Sequence, residues 1–440
     1  MLTPGSVFQT AAYRPASYPL VTYVNATNDP GAPATPTATD STAAPASSND
    51  VEGSVIVLLY HQFVPAGVHI SPKLQWTINQ DVFESQMKYI HDNGYHVIPM
   101  SDLLKFLRHE ITVPRASVVV TIDDGYKSAI VYAEPILKKY NFPWTFFVYP
   151  DFITDHESVG AASWNDLLAL QAEGVDIESH SMTHPNLPKH KQKIKETGAD
   201  GKVHATVREL SPDEYADFLK TETSGAKAVL EQHMGKPIPC FAYPYGARNK
   251  QVEDAVIAAG YEAIFTVEDN PVHYSTQLHS IGRYTITQAV IKDFAAYLHQ
   301  GALGFEHPQP APGETISTPR PVISTTLVYP DAQLNPASLS TSVRDFGEVR
   351  HDFDPQTNTV RLYLPRDLVA PEVLVNISVR DARTGQMMVA NWFFNYEPAG
   401  GAPSLHPAIP TAPALEAAPT NSTAAPPPPA ATGTPGTSVQ

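Results

Sequence analysis

Between residues 54 and 300 the chain alternates short apolar runs with blocks of helical period. Ser54-Val55-Ile56-Val57-Leu58-Leu59-Tyr60 predicts a buried strand that ends at His61. Residues 80–93 carry Phe83, Met87, Ile90 and His91 on one face and close on Gly94, the pattern of an amphipathic helix with a glycine stop. The alternation continues as a strand at 118–122, a helix at 129–139, a strand at 144–149, a helix at 164–173 and a strand at 175–179. A long helix at 212–234, a strand at 240–243 and a helix at 251–259 complete it. Strands separated by helix-length segments imply a parallel sheet with crossover helices, either open or closed into a barrel. In such folds chemistry gathers at the carboxyl ends of the strands.

Residues 322–397 read differently. Val322-Ile323-Ser324-Thr325-Thr326-Leu327, Thr359-Val360-Arg361-Leu362-Tyr363-Leu364 and Val373-Leu374-Val375-Asn376-Ile377-Ser378-Val379 are short alternating runs separated by turns, which predicts a small antiparallel β-sandwich. The 42 prolines concentrate outside these regions. The expected organisation is a disordered Pro/Ala/Thr-rich segment at 1–50, an α/β domain at 51–304, a linker at 305–321, the β-sandwich at 322–398 and a second disordered tail at 399–440.

A net charge of −16 argues against a nucleic-acid partner, whose phosphates demand basic patches. The single cysteine, Cys240, excludes an intrachain disulfide, and its count is compatible with either redox compartment. No run approaches the ~20 apolar residues of a membrane span. The first 25 residues lack a basic start followed by an apolar block, so no secretory signal is expected from Met1, and an upstream start is the alternative.

Two motifs at strand ends carry chemistry. Thr121-Ile122-Asp123-Asp124-Gly125-Tyr126 brings two adjacent carboxylates to the edge of a core, where charges need partners or a metal; by itself it is also ordinary turn chemistry. His180-Ser181-Met182-Thr183-His184 follows another strand and runs into Pro185, which favours a loop in which both imidazoles still converge. Two neutral imidazoles plus one carboxylate leave positions open for water, the composition of a catalytic divalent-metal site. Two surface histidines are the plain alternative for that pair alone.

Together with Tyr243-Pro244-Tyr245-Gly246, these motifs resemble the polysaccharide deacetylases, the NodB-homology group of carbohydrate esterases, over roughly residues 54–300. The resemblance implies a deformed (β/α) barrel followed by an immunoglobulin-like sandwich, and a hydrolase that removes N-acetyl groups from a β-linked amino-sugar polymer. It implies Asp124, His180 and His184 as ligands of a divalent metal, zinc first and cobalt as the alternative. Asp123 would be the general base toward the attacking water, and the backbone N–H of Tyr245 would stabilise the oxyanion.

This chain departs from the family pattern at Ala242, where an arginine often orients the base, so that orientation is expected from another residue or is poorer. Leu278-His279 superficially fits the family's motif for the catalytic acid, but runs into Ile281-Gly282-Arg283-Tyr284, a strand expected to have no catalytic role. Tyr60-His61 resembles the opening motif of the circularly permuted branch typified by poly-N-acetylglucosamine deacetylases, which makes His61 the expected acid. Trp164 is expected in the core or a groove wall, and Tyr126 and Tyr245 as packing residues or sugar platforms. The expected partner is an N-acetylated amino-sugar polymer outside the cytoplasm, with the β-sandwich touching polymer or cell surface. A carbohydrate-binding or adhesion protein on a decayed deacetylase fold, and an amidase acting on another substrate, remain open alternatives.

Overall fold

The computed structural model describes residues 54–399 except 115, 198–200 and 330–332. The expected segment 1–50, and all but the first residue of the expected tail, lie outside the described residues.

One sheet organises the first module. Its strands are β1 (Val55–Tyr60), β2 (His96–Val97), β3 (Ser117–Asp123), β4 (Trp144–Val148), β5 (Asp176–Ser179), β6 (Cys240–Ala242), β7 (Ala263–Phe265) and β8 (Tyr284–Thr285). The order is β7-β6-β5-β4-β3-β1-β8, with β2 also on β3, and every pairing is parallel. The sheet curls: the segment leading into β8 bridges its two edges, pairing Ile281 with Phe265 of β7 before Tyr284 pairs with Leu58 of β1.

Both faces are covered, which is why β1 and β3 read as unbroken apolar runs and not as alternating ones. All six residues of β1 and all seven of β3 are buried. Successive residues then divide between two cores. Ile56, Leu58, Tyr60, Val118, Val120 and Ile122 join the cluster under the helices. Val55, Val57, Val119, Phe147, Ala242 and Phe265 pack inside the curl, where the helix Met100–Leu107 closes one end. Each such aliphatic side chain contributes roughly 1.5–3 kcal/mol relative to exposure.

The outer helices are cut to length by local chemistry. The helix Gln80–Asp92 buries Phe83, Met87 and Ile90 and stops at Asn93-Gly94. The helix Trp164–Ala172 begins at a capping box between Ser163 and Asp166. The long helix expected at 212–234 is present as Pro212–Lys220 and Ala226–Met234, joined by a π-helical turn, Thr221–Gly225. A two-stranded hairpin, Lys191–Thr197 with Val203–Glu209, fills a stretch the apolar pattern leaves blank.

Residues from 301 onward form two further sheets. One contains Gly301–Ala302, Met387–Tyr396, Glu372–Asp381, Leu334–Val343 and Gly347–Glu348, with Thr315–Ile316 also on Met387–Tyr396; the other contains Gly304–Gln309, Val322–Val328, Thr359–Tyr363 and Arg350–Asp354. Ile323, Leu327, Val360, Leu362, Val375, Ile377, Trp392 and Phe394 form their common cluster. This corrects two expectations. The stretch 305–321 is not a free linker, because Gly304–Gln309 pairs with Val322–Val328 and Thr315–Ile316 with the last strand. Nor is the pairing wholly antiparallel, since both short additions to Met387–Tyr396 are parallel. The prolines of this stretch sit at strand ends and edges, where a missing N–H is tolerated.

Candidate metal centre

Strand parity separates the two adjacent carboxylates. Val119, Thr121 and Asp123 point into the curl, and there Asp123 meets Arg283, which is fully buried. The Arg283 guanidinium donates from Nη1 to Asp123 Oδ1 and from Nη2 to Oδ2, both at 2.8 Å, and from Nε to the Thr266 carbonyl at 3.0 Å. Burial pushes the Asp123 carboxyl up, but the Arg283 charge, His180 and the hydrogen bonds outweigh it and hold it below the usual carboxylate range.

Asp124 leaves the strand in a left-handed conformation, φ 81°, and turns toward the histidines instead. Its Oδ1 lies 3.2 Å from His184 Nε2 and 3.5 Å from His180 Nε2, and the two imidazole nitrogens are 3.2 Å apart. Ser181 and His184 also take positive φ, 69° and 56°, so the loop after β5 folds back to bring both rings together. Such backbone strain persists only where surrounding contacts hold it. Glu222 supplies them: its buried carboxylate accepts the N–H groups of Met182 at 3.0 Å and Thr183 at 2.9 Å, and the Thr183 hydroxyl at 2.7 Å. It projects from the π-helical turn, where the widened helix lets a side chain out of register.

The donor set suits a divalent cation. His180 Nδ1 donates to the Ala242 carbonyl at 2.8 Å, so its Nε2 carries the lone pair. Burial lowers both His180 and His184 to about 4, which keeps the rings neutral at physiological pH. Asp124 Oδ1 is buried and accepts no hydrogen bond, an orphaned carboxyl oxygen facing two neutral nitrogens, and burial raises the pKa of this carboxyl. One ligand atom from each of the three residues lies within 4.8 Å of the others. A cation in their midst answers all three at once.

Around this centre, His61 follows β1, whose Tyr60 pairs with Ile122, and therefore emerges level with Asp123. Its Nδ1 is buried without a partner and its ring faces Trp76 at 6.2 Å. Tyr245 lies at φ 59°, its ring 4.6 Å from that of His184. The turn around it is closed by Gly246 N–H to the Tyr243 carbonyl and Ala247 N–H to the Pro244 carbonyl, bonds that leave the Tyr245 N–H out. A Cβ on Gly246 would lie 2.3 Å from Val267 Cγ2, so only glycine fits this turn.

His279 does not join the group. It lies in the turn Gln277–Ser280 and lines, with Arg248 and Asn270, a cavity that no residue of the metal centre lines. Trp164 stacks on His233 at 3.7 Å as a packing residue. Tyr126 packs edge-on against Phe152, and Cys240 is a buried thiol whose pKa burial raises.

Three contributors are not evident from sequence reasoning. Arg283 is expected there to have no catalytic role, yet its guanidinium holds both oxygens of Asp123; its signal is an arginine next to the buried Tyr284 in the run Ile281-Gly282-Arg283-Tyr284. Tyr149, stacked on His184 at 5.1 Å, follows β4 directly and is legible as a strand-end residue. Glu222 has no local signal, because its partners lie ~40 residues away on a different element.

Residues 110–264 match the family model described as polysaccharide deacetylase. The chain is 22% identical over 243 residues to the protein YxkH of Bacillus subtilis (strain 168), covering 55% of this chain and 75% of that one. It is 24% identical over 216 residues to the poly-β-1,6-N-acetyl-D-glucosamine N-deacetylase of Staphylococcus aureus (strain MRSA252), covering 48% and 68%. Among solved structures, the Streptococcus pyogenes deacetylase PplD in complex with acetate is matched at TM-score 0.46 and 20% identity, over 56% of this chain and 98% of that one.

Proposed function

Because the chain belongs to the polysaccharide deacetylases, amide hydrolases by family, we propose that it removes N-acetyl groups from a β-linked N-acetylglucosamine-type polysaccharide. The observation that carries this reading is the division of the two carboxylates: Asp123 is locked to Arg283 while Asp124 Oδ1 stays unpartnered beside two neutral imidazoles.

Asp124, His180 and His184 would hold the divalent metal, and their nitrogen and oxygen donors favour zinc, with cobalt as the alternative. Such a cation supplies Lewis acidity and brings the pKa of water toward neutrality. Asp123, kept ionised and fixed in direction by Arg283, takes the proton from the attacking water as its oxygen bonds to the acetyl carbon. The Tyr245 N–H, in its turn secured by Gly246, donates to the carbonyl oxygen as charge develops there. His61, on the opposite flank, delivers a proton to the amine nitrogen as the C–N bond breaks. Acetate and a glucosaminyl unit leave.

The 301–396 region reads as an immunoglobulin-like sandwich in contact with polymer or cell surface. A polymer substrate implies an extracytoplasmic setting, and no helix among the described residues is long and apolar enough to cross a membrane. The test is acetate release from N-acetylglucosamine oligomers by protein reconstituted with zinc or cobalt. Stoichiometric metal with no acetate from any amino-sugar polymer would favour the carbohydrate-binding reading.

A further inference from the structure

A cavity of about 50 Å³ lies between the α/β module and the last strand of the chain's second module, lined by none of the residues of the metal centre. Arg248 forms one wall. Its side chain is 8% exposed, its Nε pairs with Glu372 Oε2 at 3.2 Å, and its guanidinium lies 3.7 Å above the Phe393 ring. Nη1 and Nη2 are both buried and have no hydrogen-bond partner. Asn270, 6% exposed, lines the same cavity, and its Oδ1 is likewise buried and unpartnered. Leaving such groups unmet costs about 1–3 kcal/mol each, so their concentration in one cavity points to an occupant that answers them.

Charge decides what kind. Glu372 is bonded to Arg248 and also accepts Arg344 Nη1 at 3.1 Å, and Glu253 lines the cavity as a second carboxylate. Two carboxylates already face the one open guanidinium, so a third anion would be repelled, while a neutral group with an acceptor oxygen would not. The occupant must therefore accept from Arg248, donate to Asn270 and place an apolar surface near Phe393. A secondary amide with a methyl group meets all three demands. The cavity has room for about three to five water-sized positions at 10–15 Å³ each, the size of an acetamide.

We propose that this cavity binds the acetamido group of a sugar unit of the same polymer, remote from the unit being hydrolysed, with the carbonyl oxygen on Arg248 and the N–H on Asn270. The inference rests on the amino-sugar reading above. It gives the second module a function, because Glu372 and Phe393 hold the Arg248 fork in position.

The test titrates the full chain, stripped of metal to prevent turnover, with N-acetylglucosamine trimer and with glucosamine trimer as the control lacking acetyl groups. Arg248→Lys keeps the charge but loses the fork, and Asn270→Leu removes the acceptor. Each variant is expected to weaken N-acetylglucosamine trimer binding at least tenfold, and the control trimer to bind at least tenfold more weakly to the parent chain. With metal restored, both variants should keep kcat within twofold on trimers and show a raised KM on long polymer. Equal trimer affinity in parent and variants, or equal affinity for both trimers, overturns the proposal. Acetate release by the metal-loaded parent is read separately: its presence with unchanged variant binding sinks only this site, whereas its absence sinks the amino-sugar reading.

Discussion

Replacing Arg283 with leucine should disable Asp123 without touching the three candidate metal ligands. The substitution removes two 2.8 Å bonds to a carboxylate that is itself buried, together with the bond to the Thr266 carbonyl. Breaking one side of such a buried pair costs about 3–5 kcal/mol of stability. The consequence for chemistry follows from sign. In the intact protein burial raises the Asp123 carboxyl and Arg283 leads the groups that outweigh it, leaving the pKa below the usual range. Without Arg283 burial is opposed by fewer groups, so the pKa rises and a smaller fraction of the carboxyl is ionised at any given pH. A general base contributes 10²–10⁴-fold, or about 2.7–5.4 kcal/mol of barrier at 1.36 kcal/mol per tenfold. Initial rates of acetate release, measured across pH with metal content and folding verified, should fall at pH 7, by at most that factor. The acidic limb of the profile should move to higher pH. Arg283→Lys, which retains charge without the fork, should lie between the two. A folded, metal-loaded Arg283→Leu protein with kcat within threefold of the parent and an unmoved acidic limb would mean that Arg283 does not set the ionisation of Asp123.

Further outcomes follow from the same geometry. His61→Ala should lose 10²–10⁴-fold on N-acetylglucosamine oligomers but far less on p-nitrophenyl acetate, whose leaving group needs no proton, while His279→Ala stays within twofold on short oligomers; the reverse pattern would reassign the acid. Glu222→Gln sets an amide against the N–H groups of Met182 and Thr183, so chelator competition should show about 10–100-fold weaker metal binding, with kcat per bound metal nearly unchanged. Glu178 is buried and raised to about 8 by that burial, so the fold favours its protonated form. Its contribution is complete below the unfolded carboxyl pKa of about 4.5 and is lost as pH climbs toward 8. Thermal melts between pH 5 and 9 should show Glu178→Gln, which keeps an acceptor for the Cys240 N–H, gaining on the parent as pH rises; parallel curves would contradict this.

The first module was well exposed in the sequence because its strands are buried on both faces. A strand covered on both sides needs an unbroken apolar run, as at 55–60 and 117–123, and glycines at 94, 174 and 260 mark where helices stop. The candidate metal ligands are legible for the same reason, since Asp124 and His180 each stand directly after a buried strand. What local pattern could not supply was the long-range pairing. Arg283 reaches Asp123 across 160 residues because the segment before β8 closes the sheet, and no periodicity announces closure. The proline-rich stretch at 305–321 reads as a linker because composition reports the lack of an independent core, whereas these residues add short edge strands to cores built by others.

In the proposed mechanism Asp123 and Asp124 hold different offices, one on the proton and one on the metal. Asp123→Asn tests it directly, by measuring bound metal and acetate release from N-acetylglucosamine oligomers on the same preparation. Full metal occupancy is expected, with acetate release reduced at least 10²-fold. An Asp123→Asn protein that binds metal and releases acetate at the parent rate would contradict it.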